Sequence, residues 1–164
     1  MNIEIRMMKT FLIFTFLLLT FCTSAQDIKK IKITDLEKTM AESKTPMIVN
    51  FWATFCKPCV EEIPYFQQMT KKYGVKLLLV SLDLESYYPV KIRNFAAKNK
   101  FTSPIVWLDE FNADYFCPRV DSAWSGAIPA SLFINNQTGY RKFFEEQLSK
   151  EKLEKEIMAI LQRR

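Results

Sequence analysis

The sequence predicts an α/β fold in which one central mixed β-sheet is flanked by helices on both faces. Three observations point there. Strand-like and helix-like stretches alternate through most of the chain. Two strand-like runs, 47–53 and 75–84, are too continuously apolar to leave one face in water. The late strand-like stretches Ile128 to Ile134 and Tyr140 to Phe144 flank the turn Asn135-Asn136-Gln137-Thr138-Gly139. Alternation implies parallel strands joined through helices, continuous apolar runs imply cover on both faces, and a hairpin adds an antiparallel part. A chain of 164 residues with 49% hydrophobic and 14% aromatic residues is long enough for one well-filled core and short for two domains.

Taken in order, Ile28 to Ile33 alternates loosely and reads as a short edge strand. Thr34, with Glu37 three residues later, reads as a capping box that opens a helix running to about Ser43, and Pro46 stops it. The buried strand 47–53 follows. From Lys57 a helix presents Val60, Ile63, Phe66 and Met69 at spacings of three, with Lys71-Lys72 in its last turn, Gly74 just beyond, and Pro64 as an internal kink. Val75 to Leu84 is a central strand. Val90 to Asn99 is a helix presenting Ile92, Phe95 and Ala96, and Ile105 to Leu108 is a short strand. Asn112 to Val120 reads as a short or irregular helix, and Asp121 to Gly126 as a loop. After the hairpin, Ser149 caps a charged helix whose Leu153, Ile157, Ile160 and Leu161 form one apolar stripe.

Residues 1–25 stand apart from this core and read as a secretory signal peptide. Arg6 and Lys9 precede the apolar stretch Phe11 to Phe21, and Thr23-Ser24-Ala25 offers small residues for a cut after Ala25, leaving 26–164 as the mature domain. The apolar stretch is far short of the roughly 20 residues a spanning helix needs. Two alternatives stay open: lipidation of Cys22, against which Phe21 stands where a small residue is usual, and an uncleaved anchor from Met7 to Ala25. Each puts the folded part outside the cytoplasmic membrane, most simply in a periplasm, where disulfides persist. Net charge is +5, and removal of Glu4, Arg6 and Lys9 leaves +4. The lysines are scattered without an interleaved aromatic stripe, which reads as solvated helix faces and argues against a nucleic-acid surface.

The chemistry is concentrated in Cys56-Lys57-Pro58-Cys59, directly after the buried strand and at the start of a helix. Two thiols at that spacing can close a disulfide on each other. At a helix N-terminus the free N–H groups and the dipole favour a thiolate, and such motifs lower a thiol pKa from ~8.5 to about 7 or below. The expected reaction is dithiol–disulfide exchange.

Trp52-Ala53-Thr54-Phe55-Cys56-Lys57-Pro58-Cys59, with Pro64 five residues past the second cysteine and Ile128-Pro129 at the head of a late strand, resembles the thioredoxin fold. Within it the chain is similar to the extracytoplasmic TlpA/ResA-like thiol–disulfide oxidoreductases. The resemblance implies that Cys56 is the attacking thiolate and that Cys59 resolves the mixed disulfide. It implies that Pro129 is a cis-proline which, with Ile128, binds an extended substrate, and that Trp52 shields the site on the substrate side. Cytoplasmic thioredoxins carry a buried Asp six residues before the first cysteine, where this chain has Asn50. Glu62, three residues past Cys59 on the same helix, is then the expected proton acceptor, against the alternative of a solvated residue like its neighbour Glu61. Phe55 replaces the usual Trp, and Lys57 adds a positive charge beside Cys56.

Partners implied are proteins with thiols or disulfides, and an upstream membrane dithiol donor is compatible. No cofactor beyond a redox-active Cys56-Cys59 disulfide is expected, and no metal. A four-cysteine zinc site would need a second pair, whereas Cys22 and Cys117 are single, and the absence of histidine argues against haem attachment, histidine-bearing copper sites and Cys-His catalysis. A peroxidase would need Thr or Ser at the position of Ala53. The rival from another class is a binding or assembly module with a static disulfide, and the smallness of the Cys56–Cys59 loop argues against a purely structural bridge. Cys117 reads as a small buried hydrophobe, with a third redox thiol or an intermolecular bridge as alternatives.

Overall fold

The computed structural model describes residues 27–162, so the expected leader over 1–25, including Cys22, lies outside the described residues. The chain runs Lys29–Ile31 (β1), Ile33–Ala41 (α1), Met47–Trp52 (β2), Lys57–Tyr73 (α2), Lys76–Ser81 (β3), a 3-10 turn Glu85–Tyr87, and Val90–Lys98 (α3). It continues Ile105–Leu108 (β4), Ala113–Val120 (α4), Ala130–Asn135 (β5), Tyr140–Phe144 (β6) and Lys150–Leu161 (α5). The six strands form one sheet in the order β1-β4-β3-β2-β5-β6. β1, β4, β3 and β2 are mutually parallel, and β5 and β6 add antiparallel pairings, so the sheet is mixed as the sequence predicts.

The two-residue period of the strands divides the interior into two cores. On one face Ile48 and Trp52 of β2, Leu77 and Leu79 of β3 and Phe133 of β5 pack against Ile63 and Phe66 of α2, Ile92 of α3, and Leu153, Ile157 and Ile160 of α5. On the other face Met47, Val49, Phe51, Leu78, Val80 and Leu132 meet Ile33, Leu36 and Met40 of α1 and Phe116, Cys117 and Val120 of α4. The continuous apolar runs at β2 and β3 follow from this double cover. Among the described residues no helix is long and apolar enough to cross a membrane.

Several boundaries differ from expectation, some set by distant partners and others by local turn chemistry. α1 starts at Ile33, so Thr34 lies inside it: the Asp35 carboxylate accepts from Lys32 N–H at 3.0 Å, and Ile33 N–H donates to Glu110 at 3.0 Å. Glu37 pairs instead with Arg119 at 2.7 Å. β3 ends at Ser81 and not at Leu84, because the Ser81 hydroxyl donates to Asp83 at 2.8 Å and turns the chain out of the sheet. β5 starts at Ala130, since Pro129 has no N–H for a ladder. α2 continues through Pro64 to Tyr73 and ends on Gly74, whose φ of 68° suits glycine.

Phe66 is fully buried on α2 and anchors the helix that carries the CxxC motif. Phe66→Ala is expected to cost about 3–5 kcal/mol, measured as a lowered denaturation midpoint. A midpoint unchanged from wild type would show that α2 is not seated through this residue.

Candidate functional site

β2 ends at Trp52, and four residues later the chain enters α2 at Cys56, its N-cap. Cys56 and Cys59 are disulfide-bonded, with Cα atoms 5.3 Å apart across the first helical turn. Cys59 is fully buried, whereas Cys56 keeps 7% of its surface exposed, so a partner reaches Cys56 first. The Cys59 N–H donates to Cys56 Sγ at 3.3 Å. An unpaired helix N–H aimed at this sulfur is the local device that favours a thiolate there. Lys57 contributes less than its position suggested. Its side chain is 87% exposed and lies 3.8 Å from Glu61, so water and a counter-charge screen it from Cys56.

The loop before Cys56 is held by Asp83, a buried residue the sequence did not single out. Its carboxylate accepts from the Thr54 N–H at 3.0 Å and from the Thr54 hydroxyl at 2.6 Å, and its backbone carbonyl accepts from the Trp107 indole at 2.7 Å. The CxxC approach is thereby tied to the ends of β3 and β4.

Glu62 is fully buried, unlike Glu61, so the solvated reading of this residue is excluded. Its Oε1 accepts from the Asn50 amide at 2.8 Å and its Oε2 from the Leu148 N–H at 3.1 Å. Burial pushes the carboxyl up to about 7, against the opposing pull of these two neutral donors. Asn50, read from sequence only as the absence of an acid, is therefore Glu62's direct partner. The amide also donates to the Ser131 hydroxyl at 3.0 Å. Leu148 lies just ahead of α5, and its carbonyl accepts from the Tyr65 hydroxyl. The neighbouring Gln147 side chain donates to the Pro58 carbonyl at 3.2 Å, so this segment lies over the start of α2.

The Ile128–Pro129 bond is cis. Ala130 pairs with Phe51 in the antiparallel register, so Pro129 stands one step further along, beside the end of β2 from which the CxxC loop departs. The loop ahead of it is pinned by Glu145, whose carboxylate accepts from the N–H groups of Ser125 at 3.0 Å and Ala127 at 2.9 Å. Trp52 is a correction. It is fully buried against Phe101, ring centroids 5.3 Å apart, and offers no surface to a substrate, because the strand period turns it into the core with Ile48. Phe55, 72% exposed beside Cys56, is the accessible aromatic instead. Cys117 lies in the core on the opposite side of the sheet from Cys56 and Cys59, and burial pushes its thiol up to about 11.

Comparison with known proteins adds to this geometry. Residues 18–139 match the AhpC/TSA family. The thioredoxin-like protein YneN of Bacillus subtilis is 38% identical over 73 residues, which are 42% of this chain and 42% of YneN. The thiol-disulfide oxidoreductase ResA of Geobacillus kaustophilus is 28% identical over 118 residues, which are 70% of this chain and 62% of ResA. The chain thus spans less than two thirds of the length of either relative. A thioredoxin-related protein from Neisseria meningitidis serogroup B superposes with a TM-score of 0.60 at 24% identity, over 72% of this chain and 86% of that one, a likeness that shows the thioredoxin-like fold alone.

The raised Glu62 carboxyl links stability to pH. The folded state favours the neutral acid, so stability is fully retained below about 4.5, falls as pH rises, and has lost this contribution above about 7. The full loss is ~3 kcal/mol, at about 1.4 kcal/mol per pH unit. Glu62→Gln removes the titration, so with both proteins oxidised the wild-type denaturation midpoint is expected to fall relative to that of the variant as pH rises across that window. Parallel pH profiles would contradict the assignment.

Proposed function

This chain belongs to the AhpC/TSA family, and from that membership and the Cys56–Cys59 geometry we propose that it is a thiol–disulfide oxidoreductase acting on protein disulfides outside the cytoplasm. The observation that carries the reading is the pairing of an accessible sulfur, Cys56, with a buried one, Cys59, on the helix that also buries Glu62. In the reducing direction the Cys56 thiolate attacks one sulfur of a substrate disulfide. A mixed disulfide forms, and the substrate's other sulfur leaves as a thiolate. Cys59 then gives its proton to the Glu62 carboxylate and attacks Cys56 Sγ, which releases the second substrate thiol and re-forms the Cys56–Cys59 bond. The electron carrier is this disulfide, with no bound cofactor or metal in the scheme.

Ile128 and Pro129, held by the Glu145-pinned loop beside the end of β2, are the backbone platform for an extended substrate segment. The signal-like character of residues 1–25 supports an extracytoplasmic, periplasm-like location. The resemblance of the motif-bearing residues to TlpA/ResA-like oxidoreductases supports net reduction, with an upstream membrane dithiol donor returning Cys56 and Cys59 to the thiol form.

Cys59→Ser is expected to accumulate covalent mixed disulfides with substrate proteins, and Cys56→Ser to accumulate none. Thiol trapping in cells is expected to find Cys56 and Cys59 mainly reduced. If neither variant traps anything and both support the biological role, the domain is a binding module with a structural disulfide; a mainly oxidised pair would reverse the direction of flow.

A further inference from the structure

We infer that Asn50 and Ser131 are positioning residues for Glu62, joined in a hydrogen-bonded chain that runs from β5 through β2 to α2 and holds a neutral donor against the carboxylate. The inference rests on the reading of Glu62 as the proton acceptor and deepens it. Asn50 and Ser131 are direct register partners in the antiparallel β2–β5 pair, and both are fully buried. The Asn50 Nδ2 group donates to Glu62 Oε1 at 2.8 Å and to Ser131 Oγ at 3.0 Å, so both its hydrogens are used. Its Oδ1 is buried and has no hydrogen-bond partner among the described residues. An amide that spends both N–H groups and leaves its oxygen without a protein partner is oriented for donation, and burial makes that orientation costly.

Neither residue is there for packing. Ile48 and Trp52 flank Asn50 on its face of β2, and Phe133 follows Ser131 on its face of β5, so apolar side chains at both positions would complete the core. The polar pair fits the charge that Glu62 carries in one of its two states. Donation from Asn50 favours the ionised carboxylate and opposes burial, which favours the acid. Without the amide the acid would persist to higher pH, and at neutral pH fewer molecules would hold a carboxylate able to take the Cys59 proton. Ser131 accepts the second N–H and keeps the amide group aimed across the gap to α2.

The other groups around Glu62 do not substitute for this pair. On α2 the titratable neighbours are Cys59, Glu61 and Tyr65. At the start of α5, Lys150 stands 5.9 Å from the Tyr65 ring centre and Glu151 acts on Tyr65 as a like charge. β2 and β5 offer only neutral side chains on this face, of which Asn50 bonds Glu62 directly. The remaining donor, Leu148 N–H, belongs to the backbone and survives any side-chain replacement.

The test is a carboxyl-carbon NMR titration of Glu62 in the full oxidised chain, without substrate, for wild type, Asn50→Ala, Asn50→Leu, Ser131→Ala and Ser131→Thr. Wild type is expected to titrate at about 7. Either Asn50 variant is expected to move the midpoint up by about one pH unit, the effect of losing one hydrogen bond to a charged group. Ser131→Ala is expected to move it in the same direction by less, and Ser131→Thr, which restores the hydroxyl, to bring it back. An unmoved midpoint in the Asn50 variants would overturn the inference, and an unmoved midpoint in Ser131→Ala would remove Ser131 from it. No turnover enters this titration. If the cysteine variants trap no substrate, the oxidoreductase reading fails separately, and the midpoints still decide whether Asn50 and Ser131 set the protonation of Glu62.

Discussion

A carboxyl group folded between helix α2 and the sheet, held by two neutral donors, is the constraint on which much of this structure depends. Burying Glu62 requires that α2 turn this residue toward β2, away from the solvent that its neighbour Glu61 faces. It requires a polar residue, Asn50, in the middle of a strand that is otherwise apolar, and it requires the segment before α5 to bring the Leu148 N–H onto the second oxygen. Each partner lowers the cost of desolvating the carboxylate without supplying a full counter-charge. A lysine or arginine in either place would leave the group ionised throughout the neutral range. Two neutral donors leave it balanced near neutrality, which is where a group that both takes and returns a proton works best.

Around that buried centre, two further carboxylates organise the surface where a partner would arrive. Asp83 holds Thr54, two residues before Cys56, and Glu145 holds the backbone of Ser125 and Ala127 just before Ile128 and Pro129. Each uses an acid from a distant part of the chain to fix a loop that has no ladder of its own. Charge-assisted hydrogen bonds to backbone N–H groups are among the stronger ones available for this. The first clamp fixes the loop before Cys56 and the second the loop before Ile128 and Pro129, and the sheet register brings the two loops to the same end of β2 and β5. Phe55 and Leu84, 72% and 64% exposed, lie on the loops that follow β2 and β3 at this end.

Much of this was legible in the sequence because it is local. The double-covered strands announce themselves as unbroken apolar runs, α2 by its spacing of three and by Gly74, and the hairpin by its turn residues. The Cys56–Cys59 disulfide and the cis Ile128–Pro129 bond are readable because their motifs are short and restrictive. What stayed hidden is made by residues far apart in the chain. Asn50 meets Ser131 across 81 positions, Glu62 meets Leu148 across 86, and Thr54 meets Asp83 across 29. The α1 cap misled for the same reason: Thr34 and Glu37 have capping-box spacing, yet Glu110 takes the Ile33 N–H and Arg119 takes Glu37. Trp52 misled because family likeness assigned it a task near the substrate, while the alternation of β2 turns it into the core.

In the proposed reaction a buried acid, tuned by an amide on the neighbouring strand, controls the step in which Cys59 displaces substrate from Cys56. The most direct measurement is the pH dependence of that step alone: preform the mixed disulfide on Cys56, then follow single-turnover release of the substrate thiol. In wild type the release rate is expected to rise with pH through a break set by the Glu62 carboxyl, and in Glu62→Gln to be slower and to lack that break. The same rate and the same break in both proteins would contradict it.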